Sequence, residues 1–109
     1  MAIKGAILKD LESLVTRLIG LPDYINSPHK KQRKYGDIVY NGITRKIAGM
    51  IKKDSTEIWE LEEDTNPFYC MPQYQGLIRK KDYKGATKYA RDWLRALRKE
   101  YDYQNNGEI

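Results

Sequence analysis

A chain of 109 residues is long enough for one modest hydrophobic core and too short for two. Its hydrophobic fraction of 40% is slightly low and its charged fraction of 32% somewhat high, which fits a thin helical protein with much solvated surface. One cysteine, Cys70, excludes an internal disulfide and suits a reducing compartment, while the net charge of +5 directs attention to polyanions.

That net charge is laid out unevenly. Residues 1–53 carry 11 Lys and Arg against 4 Asp and Glu; residues 54–65 carry 6 acids and no base; residues 66–109 carry 9 bases and 5 acids. Two basic regions therefore flank an acidic belt. Any polyanion must meet the basic regions with the belt turned away.

The first segment, Ile3 to Ile19, places Ile3, Ile7, Leu11, Leu14, Val15 and Leu18 at helical spacing, with Lys9, Ser13, Thr16 and Arg17 opposite. Asp10, Glu12 and Arg17 interrupt it, so it reads as neither a signal peptide nor a membrane span, and a protein of the cytoplasm or of an intracellularly assembled particle, with no membrane partner, is expected. Gly20 and Pro22 predict its end. Residues 20–36 then read as a long basic loop holding His29, Lys30, Lys31, Gln32, Arg33 and Lys34 between Tyr24 and Tyr35.

A second helix is predicted over 38–53, capped by Asp37, with Val39, Ile43, Ile47, Met50 and Ile51 inward; Gly42 and Gly49 would permit close packing. Asp54 with Glu57 resembles a capping box, making 55–63 a short helix or, with Trp59 and Leu61 on one face, a strand. Asn66-Pro67 reads as a break, and Pro72 as the first turn of a short helix to Lys80.

The helix predicted over 82–101 has the clearest pattern. Ala86, Tyr89, Ala90, Trp93, Ala96, Leu97 and Tyr101 make one broad face. Opposite them, Lys84, Lys88, Arg91, Arg95, Arg98 and Lys99 fall within roughly 60° of a common line with no acid among them. The expected architecture is an all-α bundle of four to five helices, three of them long, forming one domain over 1–103 with a polar tail over 104–109.

Nothing in the sequence supports catalysis. His29 is the only histidine, and Cys70 has no second thiol with which to share a metal. Cys70 is expected to pack as a small apolar group. The carboxylates Glu57, Glu60, Glu62, Glu63 and Asp64 lack a glycine-turned calcium loop, so no metal and no cofactor are expected. Residues 44–62 can be laid on a helix-turn-helix frame, but those same carboxylates would face phosphate and be repelled.

Binding is what remains. The stripe from Lys84 to Lys99, together with Lys30, Lys31, Arg33 and Lys34, suggests nucleic acid or an acidic protein surface as partner. The acidic belt offers a second route, contact between copies in a homo-oligomer. That route fits an assembly subunit, such as a phage-type particle connector, or a small inhibitor of a host protein. Richness in Lys, Ile, Asn and Tyr is compatible with the AT-rich genome of a virus or mobile element.

Overall fold

A computed structural model describes the backbone of residues 2–106 and the side chains of residues 5–103. Five helices follow one another: α1 (Ala2–Ile25), α2 (Lys30–Lys53), α3 (Ser55–Trp59), α4 (Pro67–Arg79) and α5 (Tyr83–Asn106). The all-α class, the count of five and the three long helices are as expected. Ile3, counted in the apolar stripe, lies outside the described side chains, as do residues 104–109.

Helix α1 is central. Ile7, Leu8, Leu11, Leu14, Val15, Leu18 and Leu21 are all buried along it. One flank meets α5 antiparallel: Thr87 Oγ1 donates to the Ile19 carbonyl at 3.3 Å, and Lys9 sits 4.6 Å from the Tyr101 ring centre. The other flank meets α2, also antiparallel, where the Tyr24 and Tyr35 rings lie 5.1 Å apart. Trp93, Tyr74, Ile43, Ile47 and Ile58 complete the core from the remaining helices.

Two prolines expected to bound helices lie inside them. Pro22 sits within α1, and Pro72 within α4. A proline has no N–H to give the carbonyl four residues back, which for Pro22 is that of Leu18. The Tyr74 hydroxyl supplies that bond instead, donating to the Leu18 carbonyl at 2.8 Å. Helix α1 therefore runs to Ile25 and leaves only 26–29 as connector.

The long basic loop is accordingly corrected. Lys30, Lys31, Arg33 and Lys34 form the first turns of α2, which starts well before the predicted position 38. Buried Ser27 shapes the turn: its hydroxyl accepts from the His29 N–H at 3.1 Å, and its carbonyl accepts from Arg33 Nη1 at 2.9 Å. Close approach of α2 to α1 uses Gly36, where a Cβ would stand 3.0 Å from Tyr24 Cβ. Gly42 and Gly49 face open space, contrary to the close packing expected of them.

The segment 55–63 begins as the five-residue α3, not a strand, and Asp54 makes no side-chain cap bond. Asn66 is the working cap: buried, it accepts from the Phe68 N–H at 3.0 Å, while its Nδ2 donates to the Ile58 carbonyl at 2.9 Å. Pro67 at the first turn of α4 completes this start, so the helix begins five residues before Pro72.

Helix α4 ends with the Asp82 N–H on the Leu77 carbonyl and the Lys81 N–H on that of Ile78, the paired bonds of a Schellman turn. Lys81 occupies the left-handed position, with φ 63°, where glycine is the favoured residue. Lys81→Gly is therefore expected to stabilise the protein by about 0.5–1 kcal/mol, raising its urea midpoint. An unchanged or lower midpoint would mean that this turn carries no strain.

Candidate functional site

The end of the bundle where α1 finishes and where α2 and α5 begin is rich in cations. Lys30, Lys31, Arg33 and Lys34 cover the first turns of α2, and Lys84 and Lys88 the first turns of α5. All six are exposed, as is Arg91 one turn further along. Among the described residues, none of these seven has a carboxylate partner. The two groups start at one end because the α2 start lies against Tyr24 and Ile25, and the α5 start near Ile19.

The α5 stripe divides along its length. Arg98 Nε bonds Glu12 Oε1 at 3.1 Å, and Arg95 lies 3.5 Å from Asp92. Lys9 shares Glu12 at 3.8 Å. Lys99 lines a cleft of about 470 Å³ whose other walls include Glu60, Glu62, Asp64, Glu100 and Tyr103. The stripe is thus open toward the start of α5 and partly answered by acids toward its end.

Helical geometry relates the flanks. Glu12 faces α5 and Tyr24 faces α2, and these positions are about 120° apart around α1. Between them Ser13, Thr16, Gly20 and Asp23 are exposed. The outward strip of α1 is therefore bordered on one side by the Lys31–Tyr35 edge of α2 and on the other by the α5 edge that carries Arg91 and Arg98. Asp23 is the acid that lies between them at the basic end.

The acidic belt lies toward the other end of α5. Thr65, buried, accepts the Trp93 indole N–H on its carbonyl at 3.0 Å, which ties residues 62–66 to the middle of that helix. Glu60, Glu62, Glu63 and Asp64 are exposed and Glu57 is half-buried. Among the described residues, no group of His, Cys, Asp or Glu is arranged to hold a metal ion. Ala48, inward in a helix-turn-helix alignment, is exposed.

Cys70 packs as expected for a small apolar group. It is buried, its Sγ lies 3.5 Å from the Glu63 carbonyl, and burial pushes its thiol up to about 11. A thiol held protonated is a poor nucleophile. Burial also raises the Tyr89 phenol, which pairs with that thiol. His29 stands exposed at the start of α2, where its side chain makes no cap bond.

The aromatics Tyr24 and Tyr35 beside the basic run, which in the sequence already suggest base stacking next to phosphate contact, share a groove between α1 and α2 that the loop reading of 20–36 does not reveal. Arg17, Gly20, Leu21, Tyr24, Tyr35 and Val39 surround about 300 Å³ of space there. Carrying the α1 periodicity through Pro22 reveals it, since Arg17 and Tyr24 are seven positions apart and so share a face.

No family model matches the chain, and no match was found among curated proteins or solved structures. Among the described residues, no helix is long and apolar enough to cross a membrane.

Proposed function

We propose that this protein is a non-catalytic binder of polyanions, with nucleic acid as the ligand held by its basic end. The observation that carries this reading is the position of Lys30, Lys31, Arg33 and Lys34 on the first turns of α2. The positive end of the helix dipole lies there, so acids would stabilise the helix and cations oppose it. The first turn of α2 contains no acid, whereas α5 is capped by Asp82, whose Oδ1 accepts from the Gly85 N–H at 3.0 Å. Charge arranged against local stability has its use elsewhere, and a phosphate backbone would relieve the repulsion.

A salt titration tests it. Labelled duplex and single-stranded oligonucleotides should bind at low salt, with log K falling linearly against log salt. Replacing Lys30, Lys31 and Lys34 together by Gln should lower that slope by up to about 0.9 for each phosphate no longer neutralised. These side chains are exposed, so the melting temperature should hold or rise. Absence of binding by the unaltered protein at low salt ends the proposal.

A second reading rests on the separation of charge. With cations at the start of α5 and the Glu60–Glu62–Asp64 cleft beside its C-terminal half, copies can meet head to tail as in an assembly subunit. A closed ring seen by light scattering, dissolving as salt rises, would favour it. A monomer at low salt would remove it.

A further inference from the structure

We infer that the groove between α1 and α2 is a stacking site for an unpaired base, so that the preferred ligand is a single strand. The inference rests on the polyanion reading and adds a discrimination that charge alone does not supply. Tyr35 is 55% exposed and Tyr24 42% exposed, and their rings meet at 57° with centres 5.1 Å apart. Each ring thus steadies the other while much of the pair remains open to solvent. Ile38, one turn beyond Tyr35, is 62% exposed and extends the apolar surface.

The groove beside the rings has about 300 Å³ of space for a base. Leu21 and Val39 give it apolar walls, and Gly20 leaves it open, since a Cβ there would meet nothing within 4 Å. Arg17 stands in its wall, seven positions before Tyr24 on the same face of α1. Lys31 lies one turn before Tyr35 on the same face of α2, and Lys34 is its neighbour. Cations on both sides of an aromatic pair suit a backbone that passes over the groove while one base turns into it. Asp37, two residues beyond Tyr35, projects from the far side of α2. Asp23 sits about 100° around α1 from Tyr24.

The other exposed aromatic pair makes a useful contrast. Trp59 is as exposed as Tyr35, but it covers one ring face by stacking on Phe68 at 4.1 Å and 17°, and it adjoins Glu57 and Glu60. Phosphate would be repelled there. Of the two pairs, the Tyr24–Tyr35 pair joins open rings to nearby cations. A duplex keeps its bases stacked on one another and presents none to such a groove, whereas every base of a single strand has a face to offer.

The test compares three ligands by fluorescence anisotropy at low salt: a thymidine oligonucleotide, an abasic strand of equal length, and a duplex. The unaltered protein should bind the thymidine strand more tightly than the abasic one, although their phosphates are alike. Tyr35→Ala should weaken thymidine-strand binding between about fivefold and a hundredfold, erase the difference from the abasic strand, and leave duplex affinity unchanged. Tyr35→Phe, which keeps the ring, should retain the preference. Equal binding of thymidine and abasic strands by the unaltered protein overturns the stacking site while leaving polyanion binding intact. Failure to bind all three ligands overturns the polyanion reading, and this inference with it.

Discussion

Trp93→Ala is expected to remove about 3–5 kcal/mol of stability, the usual range for emptying a buried indole site. Trp93 is 2% exposed, and its Nε1 donates to the Thr65 carbonyl at 3.0 Å. The truncation leaves a cavity and strips a buried carbonyl of its partner. For a domain of ordinary stability, about 5–15 kcal/mol, that is a large fraction of the total. Trp93→Phe separates the two causes, keeping most of the volume and losing the hydrogen bond at a cost of about 1–2 kcal/mol. Urea midpoints measure both. Trp59, half-exposed, is the only other indole, so native Trp93→Phe protein should also emit at longer wavelength. A loss below about 1 kcal/mol for the alanine variant would show that this indole does not anchor residues 62–66 to α5.

How far the sequence discloses this architecture depends on whether the deciding contact is local. The buried stripe of α1 and the face from Ala86 to Leu97 follow a 3.6-residue period and are legible without any partner. Leu8 and Leu21 extend the α1 core beyond the predicted stripe because two helices cover it from different sides. The true end of α1 escapes a local reading because Pro22 carries a breaking signal, whereas the start of α4 is written locally in the Asn66 cap and the first-turn Pro67. At Pro22 the signal is overridden by a hydroxyl 56 residues beyond the Leu18 carbonyl that it serves, and no local rule contains that bond. The run from His29 to Lys34 lacks apolar periodicity and so resembles a loop, yet it continues the helix that Gly36, Ile43 and Ile47 seat on α1 and the core.

The candidate site divides in the same way. Every cation proposed from sequence is exposed, because long charged side chains on a helical face opposite the core stay in solvent. Which of them remain available is not legible there. Arg98 is paired through a carboxylate 86 residues distant, and Lys99, though exposed, borders the acidic cleft. The open cations therefore gather at the start of α5, not evenly along it, and they share that end with the start of α2. An acid-lined cleft toward the opposite end keeps the belt from opposing a ligand there.

The bond between Tyr74 and the Leu18 carbonyl makes a prediction that couples two distant residues. Tyr74→Phe should cost about 1–3 kcal/mol, because Pro22 has no N–H to take over that buried carbonyl. In a Pro22→Ala background the residue at 22 regains its N–H and can bond Leu18 itself, so the same substitution should cost distinctly less. A double-mutant cycle reads the difference. Alkaline pH supplies an independent check. Burial holds the Tyr74 phenol above its ordinary value of 10.0, with the nearby Tyr40 ring adding to the shift. The unfolded chain thus releases this proton first, and stability should fall as pH rises above about 10, by up to about 1.4 kcal/mol per unit for this group. Cys70, Tyr40 and Tyr89 are shifted the same way and steepen the fall. Tyr74→Phe has no proton to lose at that site, so the gap between it and the unaltered protein should narrow as pH rises. Equal costs in both backgrounds, with a gap that stays constant between about pH 8 and pH 11, would mean that the hydroxyl does not serve the carbonyl that proline leaves open.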